Sequence, residues 1–205
     1  MNKKAETGEL VLLSQDEALF SMIPTLRTTL GLTGHRPVVG NLDGHDLVSV
    51  FGALNLVTGH LTTGLVERSR APRKREKTTS GQRRWQEALA KPWRDPARAY
   101  PAAQNRRVVL VIDHAPWHRG TLITKVLQEV PHLELYRLPR DSPPWQVIAR
   151  FWKVWRRRAT HHRLFQTLAT LKQALRNRLC DDQTLRHRVL SVRESPKKRT
   201  NLTVA

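Results

Sequence analysis

Apolar residues in this chain form short runs that end on charged residues, which indicates a protein built from strands and helices. Residues 108–112 are five aliphatic residues without a break, and they predict a strand buried on both faces. Residues 9–13 predict another strand, which delivers acids such as Asp16 to its carboxyl end. Residues 132–138 alternate between apolar and polar side chains and predict a further strand.

A β-hairpin is predicted upstream of the 108–112 strand. Residues 47–56 are rich in β-formers and predict the first strand, residues 57–60 favour a turn, and residues 61–66 predict the returning strand. Between the first strand and this hairpin, residues 18–35 predict a loop or short helix, and residues 37–41 a short strand.

Helical patterns fill much of the remaining chain. Residues 85–99 have a helical composition, but Pro92 and Pro96 oppose a continuous helix at a cost of about 3 kcal/mol each. Further helices are predicted over residues 118–129 and from Val147 onward. The order of elements indicates a mixed α/β chain in which the hairpin precedes an alternating part.

The C-terminal helices carry clear apolar faces. The aromatic residues of the first one predict core packing rather than base stacking: Phe151, Trp152 and Trp155. In the next helix, leucines recur at spacings of four, three, four and four, which also predicts core: Leu164, Leu168, Leu171, Leu175 and Leu179.

The net charge of the chain indicates the kind of partner that it binds. The 205 residues include 36 Lys or Arg and 17 Asp or Glu, for a net charge of +19, which favours a polyanion, most simply DNA. Residues 67–84 are basic with almost nothing apolar, and predict a solvated segment that is either a plain surface loop or a DNA-contacting one. The predicted DNA-binding side chains are Arg73, Lys74, Arg75, Lys77, Arg83, Arg84, Arg156, Arg157 and Arg158.

Other classes are disfavoured by composition. No long apolar segment or signal region is present, so we expect neither membrane insertion nor secretion. The single cysteine, Cys180, excludes an internal disulfide and fits a cytoplasmic setting. We expect one domain over residues 1–180 and a basic tail over residues 181–205.

Two acids at predicted strand ends are candidates for chemistry. If the strands that carry Asp16 and Asp113 are neighbours, the carboxylates come together beside a DNA-binding surface and suit Mg²⁺ or Mn²⁺. The alternative is that Asp113 caps a helix or makes a turn with Pro116. His118 could orient a phosphate or a metal-bound water, whereas the histidines make a poor zinc motif.

Several stretches of this chain resemble one family. Residues 108–120, VVLVIDHAPWHRG, are similar to the second-aspartate motif of the DDE transposases of bacterial insertion sequences, in the mariner-like superfamily. Residues 133–168 resemble the family's third-acid segment, residues 12–20 its first-acid segment, and residues 59–65 the hairpin between them. The resemblance implies a ribonuclease H-like fold, with a mixed five-stranded sheet flanked by helices, and two-metal DNA cleavage and strand transfer.

Carried over by position, the resemblance makes Asp16 the first catalytic acid and metal ligand, and Asp113 the second. The third acid position falls on Ala149, which is 36 residues after Asp113 (149 − 113) and has no ligand atom. Asp141, in a loop, and Glu134, on a strand, are the candidates to replace it. The resemblance therefore implies impaired activity, with the second ion weakly held.

Three hypotheses follow. The chain is a transposase catalytic domain, a catalytically dead remnant that still binds DNA, or a ribonuclease H-like nuclease outside transposition. The family's helix-turn-helix modules, which recognise transposon ends, have no counterpart in these 205 residues, so we expect end recognition to be missing. A homodimer is compatible with all three.

Overall fold

The structure is a computed structural model. It describes residues 4–5, 7–26, 33–35, 38–40, 46–68, 79–100, 107–139 and 146–181, with backbone alone at 68, 79–82, 117, 180 and 181. The strands are β1 (Leu10–Ser21), β2 (Leu47–Asn55), β3 (Leu61–Arg68), β4 (Arg107–Ile112) and β5 (Leu133–Arg137). The helices are α1 (Thr79–Ala99), α2 (Thr121–Glu129), α3 (Val147–Ala159) and α4 (Leu168–Asp181), with a 3₁₀ turn at Pro116–His118.

The five strands form one mixed sheet in the order β3-β2-β1-β4-β5. The pairs β1–β2 and β2–β3 are antiparallel, and β1–β4 and β4–β5 are parallel. The mixed five-stranded sheet flanked by helices, predicted from the sequence, is confirmed, as are the hairpin and the strands at 108–112 and 132–138.

Helices cover both faces of this sheet, which explains the uninterrupted apolar runs at residues 10–13 of β1 and 108–112 of β4. On one face α3 and α4 bury Trp155, Leu171 and Leu175 against Leu12 and Phe20 of β1. On the other face α1 and α2 pack on the remaining side chains of β1 and β4. Among the described residues, no helix is long and apolar enough to cross a membrane.

The first strand is longer than its apolar run. β1 continues to Ser21, so Asp16 lies inside the strand rather than after it, and residues 18–21 are strand rather than loop or helix. The extension is stabilised by β2, which pairs antiparallel with β1 as far as Ser21 opposite Leu47. Residues 38–40, within a predicted strand, lie outside any strand; 37 and 41 lie outside the described residues.

The two prolines do not break α1, contrary to the sequence prediction. Pro92 has no N–H to donate to the carbonyl of Ala88, four residues earlier. That carbonyl lies against Gly64 of β3, where a Cβ atom would stand 2.0 Å from the oxygen. Complete burial of Trp93 and Ala97, each directly after a proline, offsets the helix penalty.

The basic segment at 67–84 is partly structured rather than wholly loose. Glu67 belongs to β3 and pairs with Lys172 of α4 at 2.7 Å, while residues 79–84 lie in α1. Residues 69–78 lie outside the described residues, as does the tail from 182 onward. One member of the predicted leucine stripe, Leu164, precedes α4 and is exposed.

Candidate active site

Asp16 and Asp113 lie opposite each other on adjacent strands. β1 and β4 are parallel, and Ser14 pairs with Val111, an offset of 97 residues (111 − 14). The same offset places Asp16 of β1 opposite Asp113, one residue beyond the end of β4. By strand alternation both side chains project to the face covered by α3, with Leu12 and Val109. The strand register therefore places the two aspartates side by side, as the sequence analysis expects of neighbouring strands.

Asp113 is held by local contacts. Its Oδ1 accepts a hydrogen bond from the Ala115 N–H at 2.9 Å and lies 2.8 Å from His118 Nδ1. The His118 hydrogen bond lowers the pKa of Asp113 below its usual range. Asp113 therefore forms the turn before Pro116 that the sequence also suggested. Its side chain is still 40% exposed, so the turn leaves it accessible to a ligand.

His118 itself is almost completely buried, so it reaches the site through Asp113 rather than through solvent. Its ring lies 5.6 Å from that of Trp93 in α1, and its carbonyl accepts a hydrogen bond from Arg137 at 3.0 Å. His118 therefore contacts the Asp113 carboxylate directly, and its assistance to a phosphate or a metal-bound water stays a prediction.

Asp16 is in an environment that disfavours its charge. The pKa of Asp16 is raised to about 6, mainly by burial and in smaller part by the nearby Asp113 carboxylate, while a hydrogen bond from the Glu17 N–H acts to lower it. A nearby positive charge would therefore stabilise the charged form of Asp16.

Asp16→Asn is expected to stabilise the metal-free protein at neutral pH. The folded pKa of Asp16 is raised above its ordinary value of 3.8, so the folded chain holds this proton more tightly. The stability that the group contributes is complete below about pH 4 and is lost as the pH rises through about 6. Allowing for partial exposure, we expect a gain on the order of 2 kcal/mol in the asparagine variant at pH 7.5.

Urea unfolding in EDTA from pH 4 to pH 8 measures this difference. The two proteins should converge near pH 4, where Asp16 is protonated, which makes the low-pH points the internal control. Stability curves that stay parallel across the whole range would show that Asp16 is not electrostatically strained.

The third acid position lies beside Asp16. Ala149 of α3 and Asp16 line one cavity of about 630 Å³. Glu134, a candidate replacement, pairs with Arg107 at 2.8 Å near the start of β4, away from the Asp113 end. Asp141 lies outside the described residues. Within the described part of the chain, no cluster of three or more His, Cys, Asp or Glu could hold a metal.

Helix α3 reaches the site through contacts that the sequence prediction missed. Gln146 donates to the Gln15 carbonyl at 3.1 Å, and Arg156 donates to the Leu19 carbonyl at 2.9 Å. Gly52, opposite Asp16 in the sheet, leaves room for Trp152, since a Cβ there would lie 2.6 Å from the indole ring. A lone glycine in a strand was the available signal for this close approach.

The predicted DNA-binding side chains that the structure describes do not form one patch. Arg83 and Arg84 lie on α1, whereas Arg156, Arg157 and Arg158 lie on α3, which covers the opposite face of the sheet. Arg83 pairs with Glu87 at 3.1 Å. The other four, Arg73, Lys74, Arg75 and Lys77, lie outside the described residues.

A comparison with protein families assigns the chain. Residues 11–172 match the family model described as DDE superfamily endonuclease. The chain belongs to this family. The match covers both site aspartates and Ala149 in a single stretch, as the sequence resemblance predicted.

Solved structures give the same fold. The Mos1 mariner paired end complex with Mn matches with a TM-score of 0.62 and 16% identity, over 88% of this chain and 52% of that one. The Mos1 strand transfer complex matches with a TM-score of 0.59 and 14% identity, over 93% and 53%. The catalytic domain of Mos1 mariner transposase matches with a TM-score of 0.55 and 15% identity, over 93% and 80%. No curated protein matches the chain.

These likenesses confirm the ribonuclease H-like fold for this member of the DDE family. The chain spans about half the length of the Mos1 chains in the two complexes, and most of the length of the isolated catalytic domain. The chain is therefore similar in fold to the isolated Mos1 catalytic domain.

Proposed function

We propose that this chain is a transposase catalytic domain that cleaves and transfers DNA strands by metal-assisted phosphoryl transfer. The observation that carries the proposal is the placement of Asp16 and Asp113 opposite each other, on one face of adjacent parallel strands. A metal site needs anionic oxygens at a common point, and this register brings two of them together. Residues 1–180 make up the proposed domain and residues 181–205 a basic tail.

The donor set suits one Mg²⁺ or Mn²⁺ ion. Asp16 and Asp113 would hold it. The ion would stabilise the charged form of Asp16, which burial and the Asp113 carboxylate disfavour. When bound, such an ion neutralises charge on a phosphate and lowers the pKa of a water ligand. The solved paired end complexes with Mn and with Mg support these ions by likeness of fold.

A second ion does not fit the described residues equally well. Ala149 has no side-chain oxygen, and Glu134 is paired with Arg107. We therefore propose that DNA cleavage by this chain is weak. His118 fixes the orientation of the Asp113 carboxylate, and burial under α1 keeps the His118 ring in place.

The second candidate is a catalytically dead remnant that still binds DNA. The observation that favours it is the alanine at position 149, where the family has its third acid. A nuclease outside transposition is the third, and release of a hydrolysed product without strand transfer would identify it. Cytoplasmic location and a homodimer remain predictions.

The DNA partner is tested by binding to a short random duplex at several salt concentrations. The net charge of +19 predicts binding with little sequence preference, because phosphate contacts dominate. The affinity should fall steeply with salt, with a log–log slope of about −0.9 per phosphate contact. A duplex that carries a transposon end should compete little better than random DNA. Salt-insensitive binding, or strong preference for one end sequence, would contradict the proposal.

A further inference from the structure

The outer edge of β3 is an open edge of the sheet. β3 is the last strand on its side, and within the described part of the chain no strand other than β2 pairs with it. The Asn55 N–H donates to the His60 carbonyl at 2.8 Å, which fixes the alternation of bonded and non-bonded pairs along the hairpin. In that register Thr63, Leu65 and Glu67 turn their N–H and C=O groups away from β2.

β3 has few of the features that protect a sheet edge from pairing with another chain. It is eight residues long and contains no proline, and its two charged residues, Glu67 and Arg68, stand at its end. Its register with β2 runs from Leu61 to Arg68 without a bulge. Such an edge is a template for an added strand, which is one way in which proteins bind extended peptides.

Two helices make this edge the floor of a groove of about 630 Å³, called here the β3 groove. Helix α1 borders it on one face of the sheet through Arg84 and Ala88, and α4 borders it on the other face through Arg176 and Leu179. Successive side chains of a strand point to opposite faces. A strand laid along β3 would therefore present neighbouring residues to different helices.

The β3 groove carries one unpaired guanidinium on each side of the edge. Its other charged side chains are paired: Glu67 with Lys172, Glu87 with Arg83, and Lys91 with Asp95. Arg84 and Arg176 are exposed, and neither makes an ion pair with another described residue. A ligand that carries two carboxylates complements this pair of arginines.

A peptide fits the β3 groove better than a nucleic acid or a second copy does. The outward C=O groups of Thr63, Leu65 and Glu67 accept hydrogen bonds, and a phosphodiester backbone has no donor for them, whereas a peptide supplies N–H and C=O groups in the same alternation. The carboxylates of Glu67 and Glu87 also border the groove and repel phosphates. A second copy of this chain is repelled by the net charge of +19.

We propose that the β3 groove binds an extended acidic segment of a protein partner, which adds to the sheet beside β3 and places adjacent carboxylates on Arg84 and Arg176. Strand β2 separates β3 from β1, and neither Asp16 nor Asp113 lines the groove. The partner would therefore leave the two aspartates accessible. The inference does not depend on the proposed DNA chemistry.

Amide hydrogen exchange of the whole chain, followed by nuclear magnetic resonance, tests strand addition directly. The probe is an end-blocked peptide, Val-Thr-Val-Asp-Glu-Val-Thr-Val, at millimolar concentration. It should slow the exchange of the outward N–H groups of Thr63, Leu65 and Glu67. The N–H groups of Gly64 and Val66, which already face β2, should exchange as before and serve as the internal control.

Two kinds of variant separate strand pairing from charge attraction. A peptide analogue with N-methyl groups on its four central residues keeps both carboxylates but lacks the N–H donors of a strand, so it should not bind. Arg84→Gln and Arg176→Gln should each weaken binding of the parent peptide by about two- to fivefold, the contribution of one exposed ion pair. Arg163→Gln is the matched control and should bind normally, because Arg163 is exposed but does not line the groove.

Four results would overturn the inference. The first is absence of peptide binding, and the second is equal affinity for the parent peptide and the N-methylated analogue. Protection of the same three amides by random duplex DNA would make the groove a phosphate site instead. Slow exchange of these amides in the free chain would show that a second copy or another part of this chain occupies the edge. Each of these results leaves the proposed function standing, since none concerns Asp16 or Asp113.

Discussion

Ala149→Glu is expected to raise DNA nicking in Mg²⁺ or Mn²⁺ by about 10²–10³-fold, the range lost when one oriented group is removed from a catalytic site. The variant places a carboxylate in the cavity that Ala149 shares with Asp16, where it can help to hold a second ion. Two ions stabilise the attacking and leaving oxygens together, which one ion does less well. The unaltered chain should nick a pre-formed DNA substrate little or not at all.

The nicking assay compares both proteins, with Asp113→Asn as the blank and Ala149→Gln as the control for side-chain size. The glutamine has a similar shape without the charge, so it should not reproduce the gain. Clear nicking by the unaltered chain that disappears in Asp113→Asn would show that another residue serves as the third ligand. The account of impaired chemistry would then be wrong.

Gly64→Ala is expected to lower the free energy of unfolding by about 3 kcal/mol, at the upper end of typical overpacking costs. The new Cβ would lie 2.0 Å from the Ala88 carbonyl oxygen, which is backbone and cannot move aside like a flexible side chain. Relief of the clash would require α1 to separate from β3, which exposes the apolar face of the helix.

Urea denaturation measures this change as a shift in the midpoint. Thr62→Ala is the control, since it alters a half-buried residue of the same strand without adding an atom. An unchanged midpoint for Gly64→Ala would mean that α1 does not approach β3 as closely as the structure has it.

The sequence predicted the elements whose signals are local. Residues 108–112 form a strand because an aliphatic run of that length is buried on both faces, and the hairpin follows from its turn and β-formers. The full length of β1 could not be predicted in this way, because residues 17–21 are extended through pairing with β2, whose partners lie about thirty residues away.

The continuity of α1 was mispredicted for a related reason. The free-energy cost of a proline in a helix can be read from the sequence alone. Its compensation in α1 comes from the burial of Trp93 and from the space that Gly64 leaves on strand β3. Likewise, the packing of Trp152 on Gly52 joins positions 100 residues apart (152 − 52) and sets the approach of α3 to Asp16. Such pairs are properties of the assembled core.

For the candidate site, motif resemblance located Asp16, Asp113 and Ala149, and the structure added their common face. Neither the burial of His118 nor the cavity face of Lys153 could be predicted, because both depend on how α1 and α3 pack on the sheet. Arg156 was grouped with its neighbours as a DNA contact, yet it alone of the three is anchored on the Leu19 carbonyl.

The most direct test of the central claim is the position of bound Mn²⁺ in a crystal of this chain, located by anomalous scattering. We expect one peak between the Asp16 and Asp113 carboxylates, at a metal–oxygen distance of roughly 2.0–2.3 Å from each, which is typical of small hard divalent ions. A peak elsewhere, or no peak at a Mn²⁺ concentration that saturates binding in solution, would contradict the assignment of these two aspartates as the metal site.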